Sequence, residues 1–157
     1  MPSELTKELV IERYKFIQQK QMHLDTALHA NITLLVKVLI GLFSVVFAIA
    51  TYHLKEPELV TQETVLLLLE GASLLMLFVS VFFFLITISN IFSWLGYRKD
   101  EVELLNDFGG DLQRQKPKLS NFLAWQETWF CISLVLFMLG SYTVWQQATE
   151  IVVLFLD

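Results

Sequence analysis

One cysteine in 157 residues, Cys131, rules out an internal disulfide, and no CxxC pair exists to hold zinc. Three prolines (Pro2, Pro57, Pro117) all fall outside the apolar runs, so none of them kinks those runs. Charged residues make up 17% of the chain, against about 25% in an average soluble domain. With a net charge of −5 there is no basic stripe to neutralise phosphates, which excludes a general nucleic-acid binder. Motif chemistry is missing too: no HExxH, no Ser-His-Asp order and no GxxxxGK[ST] loop. His23 and His29 stand about 240° apart around a helix, and His53 lies far along the chain. No enzymatic activity, metal or cofactor is expected. The charged start, MPSELTKELVIERYK, has no apolar core after its first basic residues and is not expected to be a cleavable signal peptide.

What is present is apolar: 55% of residues are hydrophobic, with thirteen Phe and four Trp. A helix crossing ~30 Å of hydrocarbon needs about 20 residues, and three stretches reach that length. The expected fold is all-α, an integral membrane helical protein with three transmembrane helices and long cytoplasmic helix extensions, assembling as a homo-oligomer. It forms one membrane unit: a cytoplasmic helix over 3–30, a first span over 31–53, and a second span with an outer extension over 62–97. A cytoplasmic helix and connector follow over 98–120, then a third span over 121–146 and an apolar outer tail over 147–157 that is too short to cross.

Orientation follows from Lys and Arg. Lys7, Arg13, Lys15 and Lys20 precede the first span, and Arg98, Lys99, Arg114, Lys116 and Lys118 lie between the second and third. Only Lys55 lies on the opposite side. The N-terminus is therefore expected inside and the C-terminus outside. Trp94, Tyr97, Trp125 and Trp129 mark the inner border, and Tyr52, Tyr142 and Trp145 the outer one. Lys37, about 9 Å past Asn31, can snorkel to the inner interface. Glu70, about 36 Å before Trp94, falls near the outer boundary.

No Pro or Gly occurs between Ser3 and Lys37. A 3–4 spacing runs Val10, Tyr14, Ile17, Gln21, Leu24, Leu28 and on through Leu35, Val38 and Leu42 without a phase break. One continuous helix is expected, capped by Ser3, with another helix packed along this seam. RKDEVELLNDF continues the second span, Gly109-Gly110 ends it, Ser120 caps the third helix, and Pro57 opens the lead-in to the second.

Within the second apolar run, Ser73, Ser80 and Thr87 recur at intervals of seven, with Asn90 three further on. Seven residues make nearly two helical turns, so these groups share a face that turns away from lipid. Two readings follow. The face packs against another helix, where small hydroxylated residues allow close approach. Alternatively it lines a pore, with Ser73, Leu77, Ser80, Phe84, Thr87 and Asn90 along the path, Leu77 and Phe84 as gates, and Glu63 and Glu70 as outer acidic rings. One three-span protomer encloses no channel, so a pore requires a homo-oligomer. Expected partners are therefore other copies of the chain and the bilayer.

The acidic cluster Asp100, Glu101, Glu103, Asp107 and Asp111 has basic neighbours and reads as a solvated face, or else as a docking surface for a cytoplasmic partner protein. Asp25 and His29 form an i,i+4 pair. IERYKFIQQKQ running straight into a span resembles the small helical membrane effectors of prokaryotic antiviral defence of the SLATT type, and Arg13-Tyr14 matches the Arg-Tyr pair of their N-terminal helix. The likeness covers residues 10–53, and the remainder in outline, with a third span and outer tail added. Membrane accessory proteins of RNA-targeting CRISPR systems are similar in size; where some carry Arg-x4-His, this chain has Gln18. The leading reading is a homo-oligomeric pore or gated effector of a bacterial inner membrane, and the resemblance implies that it perturbs the membrane on an infection signal. It implies that a partner protein or small molecule brings the signal to a surface holding Arg13, Tyr14, Asp100, Glu101 and Glu103. The alternative is a non-conducting membrane scaffold that assembles a cytoplasmic partner.

Overall fold

With only Gly41 to weaken it and no proline, the first stretch forms a single helix, α1, over Glu4–Lys55. The computed structural model describes residues 4–112, 114–116 and 119–156, the side chains of 119–121 excepted. The expected Ser3 cap lies outside what is described, and Ser120 falls within the 3-10 helix, six residues before α3 begins, so it is not the cap of α3. After α1 come α2 (Gln62–Phe108), a 3-10 helix (Leu119–Ala124), α3 (Gln126–Gln146) and α4 (Ala148–Leu156). Among the described residues the fold is all-helical, with no strand. Helices α1, α2 and α3 are each long and apolar enough to cross a membrane.

The α1 seam is where the 3–4 spacing puts it. Val10, Tyr14, Gln21, Leu24, Val38 and Leu42 are half-buried, and Ile17, Leu28 and Leu35 are buried. Between α1 and α2 the chain turns at Glu56–Leu59, where Pro57 supplies the fixed φ and the Leu59 amide donates to the Glu56 carbonyl at 3.1 Å. Thr61 then caps α2, its Oγ1 accepting from the Thr64 amide at 3.3 Å.

One stretch differs from expectation. The third helix begins at Gln126, not 121, because residues 119–124 wind as a 3-10 turn. The Thr128 hydroxyl donates back to the Phe122 carbonyl at 2.6 Å and holds the junction at Trp125. The apolar tail is a helix, α4, with Ala148 and Val152 buried one turn apart and Leu154 and Phe155 exposed.

Contacts divide the chain into two units. The first joins Met1–Ala30 with Ile86–Trp129, and the second joins Asn31–Leu85 with Phe130–Asp157. Ile17, Leu28, Ile91 and Val102 fill the core of the first, where the start of α1 lies against the end of α2. Leu35, Val65, Met76, Phe83, Phe130, Cys131, Leu134, Ala148 and Val152 fill the core of the second.

Candidate functional site

The α2 hydroxyls turn into the protein. Ser73 is 7% exposed, and Ser80 and Thr87 are fully buried within this one chain. The buried steps run Ser73, Met76, Ser80, Phe83, Thr87, Ile91. Leu77, Phe84 and Asn90, one position round the helix, are half-buried, Glu70 is half-buried and Glu63 is exposed. Ser73 Oγ donates to its own Leu69 carbonyl at 2.7 Å. Ser80 Oγ is enclosed with no hydrogen-bond partner among the described residues. An enclosed hydroxyl without a partner costs about 1–3 kcal/mol. Ser80→Ala is therefore expected to raise the stability of lipid-embedded protein by about 1 kcal/mol, read from its unfolding in SDS. A loss of stability in that variant would mean that the hydroxyl is partnered.

The same heptad continues past Ser73, Ser80 and Thr87 through Trp94 to Glu101. Glu101 is fully buried in the first unit, so it does not belong to a solvated acidic face. Its two oxygens receive four donors from three segments. Oε1 accepts from Gln18 Nε2 of α1 at 3.0 Å and from Arg114 Nη1 of the connector at 2.8 Å. Oε2 accepts from Gln21 Nε2 of α1 at 3.2 Å and from Arg98 Nη1 of α2 at 2.6 Å. Helical spacing sets this up: Gln21 lies on the seam with Gln18 three residues before it at its edge, and Arg98 precedes Glu101 by three.

Burial pushes the Glu101 carboxyl up, but the Gln21 and Arg98 hydrogen bonds and the Arg98 and Arg114 charges outweigh it, so its pKa is lowered. The group is ionised at neutral pH and has no proton to give. Its four donors make it a clamp between α1, α2 and the connector.

The remaining members of the expected signal surface lie around this clamp. Arg13 pairs with Asp100 at 2.8 Å, both half-exposed, and its guanidinium lies 5.5 Å from the centre of the Phe16 ring. Lys99 and Glu103 form a looser, exposed pair at 3.9 Å. Tyr14 is half-buried and lines an open groove of ≈ 580 Å³ together with Val10, Ile11, Leu104, Leu105, Phe108 and Leu112. Arg114 and Asp111 border the same groove. No protein-family model, curated protein or solved structure matches the chain. No cluster of three or more metal-ligating side chains occurs among the described residues.

Sequence reasoning missed Gln18, Arg98 and Arg114 as a set around Glu101. Two signals were present: a glutamine inside an otherwise apolar seam, and a carboxylate in register with the hydroxyl thread.

Proposed function

We propose that the chain is a membrane-anchored scaffold. Helices α1, α2 and α3 cross the inner membrane of a bacterium, and the end built from residues 4–30 and 98–116 faces the cytoplasm and docks a partner protein. The observation that carries this reading is the groove beside Tyr14. It is largely apolar, yet it lies on the most highly charged part of the chain, and Ile11, Phe108 and Leu112 on its walls are exposed. Exposed apolar surface of this kind in water marks an interaction site. The occupant is an apolar helix of the partner, seated between the start of α1 and the end of α2. The asymmetry of nine Lys and Arg against one supports the cytoplasmic assignment.

The burial of Ser73, Ser80 and Thr87 supports helix packing as their role and favours the scaffold over the pore, whose lining needs these groups open on their own protomer. Purified protein in planar bilayers is expected to pass no discrete current, and neither Ser80→Trp nor Thr87→Lys is expected to create one. Leu112→Asp is expected to lower partner co-purification at least tenfold while native mass in lipid is unchanged. Discrete currents from a defined homo-oligomer, altered by Thr87→Lys, would instead establish the gated effector implied by the SLATT-type resemblance.

A further inference from the structure

A second cavity of the first unit, ≈ 350 Å³, is lined by Asp25, Leu28 and His29 of α1, Trp94 of α2, and Trp125, Gln126 and Glu127 at the start of α3. Each residue has an ordinary reason to be near. The two tryptophans belong to the aromatic border. Glu127 sits in the first turn of α3, where a carboxylate complements the helix end. Those reasons do not gather two indoles and two carboxylates around one hollow.

The wall is firmly built. The Trp94 and Trp125 ring centres are 5.2 Å apart, and Phe122 meets Trp125 edge-on at 5.6 Å. The Trp125 amide donates to the Phe122 carbonyl, and the Thr128 amide donates to the Trp125 carbonyl. The Trp125 backbone is thus held on one side by the 3-10 turn and on the other by the first turn of α3. Among the described residues, neither Asp25 nor Glu127 pairs with a Lys or Arg.

From this geometry we infer that the cavity between Trp94, Trp125, Asp25 and Glu127 is a binding site for an organic ammonium cation. Indole faces attract cations through their quadrupole, most strongly where water is partly excluded, and aromatic walls take alkylated ammonium in preference to small hydrated ions. The carboxylates add charge without supplying the compact oxygen or nitrogen set that a metal demands. The volume suits a choline-sized group. Because the tryptophans mark the membrane border, the ammonium is carried either by a lipid headgroup or by a free cation.

The test is a tryptophan-fluorescence titration of full-length protein in phosphatidylglycerol nanodiscs with tetramethylammonium, against sodium at matched ionic strength. Saturable quenching specific to tetramethylammonium is expected. Asp25→Asn combined with Glu127→Gln is expected to weaken it at least tenfold, with unchanged circular dichroism. Trp125→Leu, which removes an indole and keeps both carboxylates, is a second variant and is expected to do the same, read by isothermal titration. Nanodiscs containing phosphatidylcholine or phosphatidylethanolamine separate the sources. If they suppress the titration, the ligand is a lipid headgroup; if they leave it intact, the ligand is soluble. No saturable binding in phosphatidylglycerol, or equal binding by wild type and variants, overturns the assignment.

Discussion

Glu101→Ala is expected to destabilise the pairing of α1 with α2 in the first unit by about 3–5 kcal/mol, the cost of removing one partner from a buried ion pair. The carboxylate is fully buried, and Arg98, its closest donor at 2.6 Å, has a side chain only 16% exposed. Without the carboxylate that guanidinium remains in a poorly solvated position with no anion. Gln18 and Gln21 lose their acceptor in the same step. Arg13→Ala serves as the contrast. Its pair with Asp100 is half-exposed on both sides, and surface pairs of that kind are worth about 0–1 kcal/mol. Unfolding in SDS, followed by hydrogen exchange over residues 10–24, measures both. A loss below about 1 kcal/mol for Glu101→Ala would show that water reaches the clamp.

The charge itself has a pH signature. Because the folded pKa of Glu101 lies below its ordinary value of 4.5, the unfolded chain takes up the proton first as pH falls. The contribution to stability is complete above the ordinary glutamate range and is lost as pH drops through the lowered folded value. Glu101→Gln keeps the shape, turns an amide N–H toward an arginine, and removes this carboxyl's part of the acid sensitivity. Replacing Glu101 and Arg98 together by Leu is expected to recover part of the loss, since apolar groups of similar size tolerate burial that a lone charge does not.

The long helices were legible because local signals sufficed for them. An unbroken 3–4 spacing, with no Pro and only Gly41 within it, made α1 continuous, and Gly109-Gly110 marked the end of α2. The face of α2 was half legible. The heptad of Ser73, Ser80 and Thr87 identified a side turned away from lipid, but alternating steps of three and four put Met76 and Phe83, not Leu77 and Phe84, between them. Choosing the step takes knowledge of the partner helix, which periodicity alone does not hold. Glu101 was misread for a related reason. Surrounded in sequence by Asp100, Glu103 and several basic residues, it matched a solvated charge run. Its burial depends on Gln18 and Gln21, which lie 83 and 80 residues away. The 3-10 start before α3 was hidden because a Thr128 hydroxyl bonding back to Phe122 leaves no spacing signal.

Gly109→Ala is expected to loosen the clamp from a distance. A Cβ at Gly109 would stand 2.5 Å from the Leu105 carbonyl oxygen, a backbone atom that cannot turn aside as a side chain does. That carbonyl accepts the Gly109 amide at 2.8 Å in the closing bond of α2. Relief requires the last turn of α2 to open, which moves the start of the connector that carries Arg114 to Glu101. Gly110 follows with φ +57°, and the Leu112 amide closes the turn onto the Gly109 carbonyl at 3.0 Å. Gly110→Ala meets no atom and costs only the left-handed penalty of about 1 kcal/mol. Gly109→Ala is expected to cost about 2–3 kcal/mol, in the range of stored backbone strain. The two routes separate in a double-mutant cycle with Arg114→Ala. If the Gly109 effect passes through the connector, the Gly109 and Arg114 losses are sub-additive by at least about 0.5 kcal/mol, while Gly110 and Arg114 add. Additivity in both cycles would confine the Gly109 clash to the helix end and leave Arg114 in place.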